Sequence, residues 1–283
     1  MALRNKDLIS IHDLSVGEVA TILDVSRKLK KKQKLGEPHE YLKGKTLAMI
    51  FSKASTRTRV SFETGFHQLG GHPIYMTEST SQIGRGEPVK DTARVLSRFV
   101  DGIMIRTYSH EAVKELADYA SVPVINGLTD LLHPCQALTD MFTILEHGKK
   151  FKGLKMAIIG DILYSRVARS NIAAWTKLGA DVHVAGPMTL IPHDAEALGV
   201  TVHKRVEDAI EGADVVDVLR IQLERQEKGM FPTPREYARI FGVNEEKMKL
   251  AKPDCLVMHP GPMNRGLEIS WETGYSDQAV IRE

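Results

Sequence analysis

In the stretch FSKASTRTRVSFE (51–63), three hydroxyls and two guanidinium groups crowd into Ser55, Thr56, Arg57, Thr58 and Arg59. The stretch follows the apolar run TLAMI, so it reads as a strand that passes through a loop into a helix starting near Arg57. Such a helix start leaves unpaired N–H groups and the positive end of the helix dipole. Ser55 or Thr56 can cap it. With Arg57 added, the result is an anion cradle best suited to a phosphate. It lies at the carboxyl end of a strand, where open α/β sheets bind their ligands. A capped helix with a solvated basic face is the plainer reading. Polar groups at other strand ends weigh against it: Arg106 closes GIMIR, and His133 and Gln136 follow VPVIN in LLHPCQALTD.

Other anion-binding motifs are missing. There is no Gly-x(4)-Gly-Lys-Ser/Thr pattern. The turn IIGDILYSR resembles the start of a dinucleotide-binding fold but lacks Gly-x-Gly-x-x-Gly, which counts against a nicotinamide-dependent dehydrogenase. The cradle fits a small phosphorylated metabolite better.

The elements that must position these residues are short apolar runs alternating with amphipathic stretches. TLAMIF (46–51), HPIYM (72–76), GIMIR (102–106) and VPVIN (122–126) are predicted strands. RTRVSFETGFHQLG, KDTARVLSRFV, HEAVKELADYA and PCQALTDMFTILEHG are the helices between and after them, and SVGEVATILDVSRKLKKKQK precedes them. Phe62, Phe66 and Leu69 recur at helical spacing. A second set follows: strands in GLKMAIIGD, ADVHVAG, VTVHK, ADVVDVL and DCLVMHP, and the helix SRVARSNIAAWTKLG closed by Gly179 at a C-cap position. The expectation is an α/β protein with two doubly wound parallel-sheet domains, 1–147 and 148–283, bridged by the helix over 134–148.

Composition narrows the function classes. The chain has 283 residues, 42% hydrophobic and 26% charged, as in ordinary globular domains. A formal net charge of +2 gives no global field selecting nucleic acid or an anionic membrane, so anion preference must be local. Cys135 and Cys255 lie far apart, with no CxxC pair, so neither a metal site nor a disulfide framework is expected. Neither a signal peptide nor a membrane span is evident, and a cytoplasmic location is expected.

STRTR followed by SFE, and then HPCQALTD, resembles the carbamoyltransferases, along essentially the whole chain. The two halves resemble different members. FSKASTRTRVSFE, QIGRGEPVKDTARVLSRFVDGIMIR and NGLTDLLHPCQALTD are similar to ornithine carbamoyltransferase, including Cys135 in HPCQ. GDILYSRVARSN, DVLRIQLERQ and MHPGPMNRGLEIS are similar to aspartate carbamoyltransferase. The ornithine enzyme's Asp-x-Trp-x-Ser-Met-Gly stretch and His-Cys-Leu-Pro loop are absent, and the loop here reads HPGP. With the change of phrasing near 140–155, a fusion of two parents is the expectation. Members of the aspartate type usually continue past SDQAVIRE into one more helix that packs on the first domain, whereas this chain stops at Glu283.

The resemblance implies a reaction. Carbamoyl phosphate would donate its carbamoyl group to the amine of L-aspartate, a step of pyrimidine biosynthesis, with ornithine as the alternative acceptor and donor binding without turnover as a further one. Ser55, Thr56, Arg57, Thr58 and Arg106 would hold the phosphate. Thr58, Arg106 and His133 would face the carbonyl oxygen, where charge grows as the amine attacks. Gln136 and the backbone carbonyls around Pro260 and Gly261 would hold the carbamoyl amide. Arg166, Arg220 and Gln222 would hold aspartate, two guanidinium forks meeting two carboxylates and repelling ornithine's cation. The loop TESTSQIGRGE would enter a neighbouring subunit's site in a homotrimer. Gln82 matches the ornithine type there. The aspartate type's lysine has no counterpart, and Arg85 stands nearest to its place. No cofactor and no metal are implied. The substrates are small molecules, and any regulatory subunit is left open.

Overall fold

The computed structural model describes residues 3–222 and 233–281. The chain divides into two compact units, Met1–Leu138 and Thr139–Glu283. The division falls inside the helix Pro134–Glu146.

The first unit begins with helix α1 (Val16–Lys34), started by a reciprocal capping box between Ser15 and Glu18. There follow β1 (Thr46–Phe51), α2 (Thr56–Gln68), β2 (His72–Thr77), α3 (Val89–Leu96), β3 (Gly102–Arg106), α4 (His110–Tyr119), β4 (Val124–Leu128) and α5 (Pro134–Glu146). The sheet is parallel, in the order β2-β1-β3-β4. Successive side chains of β1 point to opposite faces. Ala48 and Ile50 join Ile103, Val113 and Leu116 on one face, and Leu47, Met49 and Phe51 join Met104 on the other. Covering on both faces is why β1 reads as an unbroken apolar run. Phe62 and Phe66 of α2 do pack on the second face, though only partly buried. β4 starts two residues later than VPVIN predicts, because Pro123 has no N–H to donate to a neighbouring strand. Its carbonyl still accepts from the Ile103 N–H.

The second unit contains β5 (Lys155–Ile159), α6 (Arg166–Lys177), β6 (Asp181–Ala185), β7 (Val200–His203), α7 (Val206–Ile210), β8 (Val215–Val218), α8 (Pro234–Ile240), α9 (Glu245–Met248), β9 (Leu256–Met258) and α10 (Trp271–Gly274). Its parallel sheet runs β7-β6-β5-β8-β9. Gly179 follows α6 with φ +81°, the left-handed conformation expected just past a helix end. The core on one face gathers Ala157, Ile159, Val216 and Val218 with Val206 and Ile210. On α6, residues from Arg166 to Trp175 are buried with the single exception of Arg169. Among the described residues, no helix is long and apolar enough to cross a membrane.

Candidate active site

In each sheet the strand order reverses beside its first strand. β1 leads through α2 to β2 on one side, with β3 on the other; β5 leads through α6 to β6 on one side, with β8 on the other. Helices leaving two such strands diverge and open a crevice at their carboxyl ends, where α/β sheets bind ligands. Both groups of residues singled out from the sequence fall at these two places.

In the first unit, Ser55 is the N-cap of α2, and its hydroxyl accepts from the Thr58 N–H at 3.2 Å. Thr56, Arg57 and Thr58 form the first turn, where N–H groups and the dipole face an incoming anion. Arg106 ends β3 in register with Phe51 of β1, so it crosses the crevice from the neighbouring strand. Its Nη1 donates to Thr58 Oγ1 at 3.0 Å. Burial pulls the Arg106 pKa down from its ordinary value, but a guanidinium starting above 12 stays charged. The Arg106 Nε is buried without a hydrogen-bond partner among the described residues. His133 and Gln136 lie at the start of α5, beyond the end of β4, and the Gln136 N–H donates to the His133 carbonyl at 3.1 Å. The ends of three adjacent strands, β1, β3 and β4, thus carry all of these groups.

The two arginines of the opening stretch part company. Arg59 donates to Glu63 at 3.0 Å and lies over the Tyr75 ring at 3.7 Å. Arg57 is exposed, and its side chain has no hydrogen-bond or ion-pair partner among the described residues. One cation of the pair is therefore structural and the other is available to a ligand. Cys135 is held out of the chemistry: its thiol donates to the Asn126 carbonyl at 3.5 Å, and burial pushes its pKa up to about 12.

In the second unit, Arg166 opens α6 under a Ser165 cap, whose hydroxyl accepts from the Ala168 N–H at 3.1 Å. Arg166 is 5% exposed, and its Nη2 donates to Gln222 Oε1 at 2.7 Å. Arg220 and Gln222 follow β8, the neighbour of β5. The loop with Pro260 and Gly261 follows β9. Gly261 has φ +60°, a conformation that glycine adopts at little cost, and the Gly261–Pro262 bond is cis. The Gly261 N–H donates to His259 Nδ1 at 2.8 Å, so the ring proton sits on Nε2 and donates to Glu268 at 3.1 Å. Glu268 also accepts from the Asn264 N–H, and the Asn264 amide donates to the Ile221 carbonyl, one residue from Arg220.

Gln82 and Arg85 lie in a 3-10 turn, Gln82–Arg85, of the loop after β2. Both are exposed, and no hydrogen bond among the described residues joins either side chain to the cradle. Gly84 keeps this turn tight: a Cβ there would come within 2.3 Å of the Glu78 carbonyl oxygen. Residues 223–226 of the stretch DVLRIQLERQ lie outside the described residues.

Residues 6–146 match the family model for the aspartate/ornithine carbamoyltransferase carbamoyl-P binding domain, and 152–283 match that for the Asp/Orn binding domain. The chain belongs to the aspartate/ornithine carbamoyltransferase family. Within this family it is 46% identical to the aspartate carbamoyltransferase catalytic subunit of Moorella thermoacetica, over 100% of this chain and 93% of that one. It is 43% identical to the ornithine carbamoyltransferase of Geobacter metallireducens, over 94% of this chain and 89% of that one. The solved ornithine carbamoyltransferase from Pyrococcus furiosus superposes with a TM-score of 0.89 at 42% identity, covering 99% of this chain and 93% of that one. The expectation of a fusion of two parents gains no support, because single relatives of either type align through both halves.

Several residues of the second carbamoyltransferase unit escaped the sequence reading. His259, Glu268 and Asn264 shape the 259–264 loop. Asn171 joins two buried carboxylates: its Nδ2 donates to Asp140 Oδ2 at 2.8 Å and to Asp217 Oδ2 at 2.9 Å. Burial and the neighbouring Asp140 push the Asp217 carboxyl up to about 7. The signal for Asp217 was an acid in the middle of the apolar run VVDVL.

Proposed function

We propose that this chain transfers the carbamoyl group of carbamoyl phosphate to the amino group of L-aspartate, giving N-carbamoyl-L-aspartate and phosphate. The observation that carries the choice of acceptor is the pair Arg166 and Arg220 on either side of the second sheet's crevice, with Arg166 fixed by Gln222. Two guanidinium groups fit two carboxylates. Ornithine would bring its side-chain ammonium toward them, a like-charge contact that discriminates against it. The aspartate enzymes at 44–46% identity over nearly the whole chain support the same reading.

In this reading the first unit is the donor domain. Ser55, Thr56, Arg57 and Thr58 receive the phosphate at the α2 start, and Arg106 closes on it. Thr58, Arg106 and His133 donate toward the carbonyl oxygen, and Gln136 with the carbonyls near Pro260 and Gly261 takes the carbamoyl amide. The neutral amine attacks the carbamoyl carbon. As the N–C bond forms, the bond between the carbamoyl carbon and the bridging oxygen breaks, phosphate leaves with the bonding pair on that oxygen, and a phosphate oxygen takes the amine's proton. Positioning and fixed donors supply the catalysis, since no side chain has to form a covalent intermediate. We assign Gln82 and Arg85 to a neighbouring copy's site in a homotrimer, in keeping with their exposure and lack of ties to their own cradle.

Ornithine is the second reading, favoured by Gln82 and by the absence of lysine from 77–87. Parallel assays of the purified chain with carbamoyl phosphate plus either acceptor separate the two. N-carbamoyl-L-aspartate as the main product is expected. Citrulline as the sole product would overturn the proposal, and a trimer mass in the same preparation is expected.

A further inference from the structure

We propose that Asn171 is a positioning residue for the acceptor: it sets the spacing between the helix start that carries Arg166 and the strand end that carries Arg220. The proposal rests on the acceptor reading above. Asn171 lies on α6, five residues after Arg166, and Asp217 lies on β8, three residues before Arg220. The bond from Asn171 Nδ2 to Asp217 Oδ2 at 2.9 Å is thus a direct tie between the two arginine-bearing elements, about one and a half helix turns below the crevice. The same amide nitrogen donates at 2.8 Å to Asp140, in the part of α5 that belongs to the second unit. One amide therefore holds three elements.

The chemistry of this cluster makes the tie stiff. Asn171 is fully buried, Asp217 is 2% exposed and Asp140 8%, so water does not compete for the bonds. The two carboxylate oxygens share one nitrogen, so they lie no farther apart than the sum of its two bond distances. Two carboxylates so close, away from water, repel each other strongly whenever both are charged. A donor between them offsets part of that repulsion, and removing it takes from Asp217 Oδ2 the hydrogen bond it accepts from Asn171. A helix packed on a sheet by apolar contacts alone can slide by fractions of an ångström. An amide whose two Nδ2–H groups each meet a carboxylate oxygen limits that sliding to the few tenths of an ångström that hydrogen-bond lengths tolerate. Arg166 and Arg220 must meet two carboxylates of one small molecule, so a small change in spacing falls on acceptor binding. The phosphate-binding part of the donor cradle, Ser55 to Thr58 and Arg106, sits on elements this tie does not touch; only His133 and Gln136 share a helix with it, through Asp140 of α5.

The test uses the full-length chain, as wild type and as the variants Asn171→Ala and Asn171→Ala/Asp217→Asn, with steady-state kinetics for both substrates and thermal denaturation. In Asn171→Ala the KM for aspartate should rise at least about tenfold, the KM for carbamoyl phosphate should stay within about twofold, and the melting temperature should fall. In the double variant a neutral amide replaces the Asp217 carboxylate, which removes the buried repulsion without restoring a tie from α6 to β8, so thermal stability should recover in part while the raised KM for aspartate persists. Asn171→Gln, which keeps the amide on a longer arm, should recover part of the aspartate KM. A wild-type aspartate KM in Asn171→Ala, a parallel rise for both substrates, or a KM that recovers with stability in the double variant would overturn the proposal. Failure of the wild type itself to use aspartate would instead refute the acceptor reading, and the inference with it.

Discussion

Arg57 and Arg166 hold matching places in the two sheets, each in the first turn of the helix that follows the first strand, under a serine cap. Arg57 is exposed and its side chain has no partner among the described residues, whereas Arg166 is buried and bonded to Gln222. The helices differ in the same sense: α2 has no fully buried residue, while α6 is buried along most of its length. A phosphate carries enough charge to order a free guanidinium as it binds. A carboxylate is a weaker ligand, and choosing one amino acid over another needs donors already in place. In the proposed function the two half-sites serve those different tasks, loose toward a strong anion and rigid toward a selective one.

The strongest way to break this comparison is to remove the loose cation. Arg57→Ala should lower kcat by about 10²–10³-fold with any acceptor, as loss of a donor to the charge that develops on the leaving phosphate would, and steady-state rates at saturating aspartate would show it. Arg220→Ala should act on one substrate only. The KM for aspartate should rise about 100-fold, as for the loss of a charged hydrogen-bonding partner worth about 3 kcal/mol, with the KM for carbamoyl phosphate unchanged.

A smaller effect concerns the buried carboxylates beneath the rigid half-site. The fold raises the Asp217 pKa above the ordinary carboxylate value, to about 7, so it favours the protonated form. Its contribution to stability is complete below about pH 4 and is lost as pH climbs through about 7. Melting temperatures should therefore fall over that window in the wild type and fall less in Asp217→Asn, which stays neutral. The smallest effect sharpens the likeness between the halves. Ser55→Ala and Ser165→Ala should each cost about 1 kcal/mol of stability, the usual loss of a helix cap, measured by denaturant titration.

Most of the fold was legible because parallel strands covered on both faces leave continuous apolar runs, and β1 and β3 match their predicted bounds. The candidate site residues were legible where chemistry-bearing types stand side by side, as in Ser55 to Thr58. The different fates of Arg57 and Arg59 were not, because they depend on Glu63 and Tyr75 rather than on the arginines themselves. The Asn171 cluster was hidden for a related reason. Its partners are 31 and 46 residues away in sequence, and each reads singly as an ordinary polar residue. The expectation of two parents arose from matching each half to a different family phrasing, a mixture that nonetheless aligns along single relatives.

Calorimetric titration with inorganic phosphate, a stable stand-in for the donor's anionic end, tests most directly the division of labour between the two units. Relative to wild type, Arg57→Ala should weaken phosphate binding at least about tenfold, and Arg220→Ala should leave it within about twofold. Phosphate binding that survives Arg57→Ala, or that is lost in Arg220→Ala, would contradict a donor site in the first unit and an acceptor site in the second.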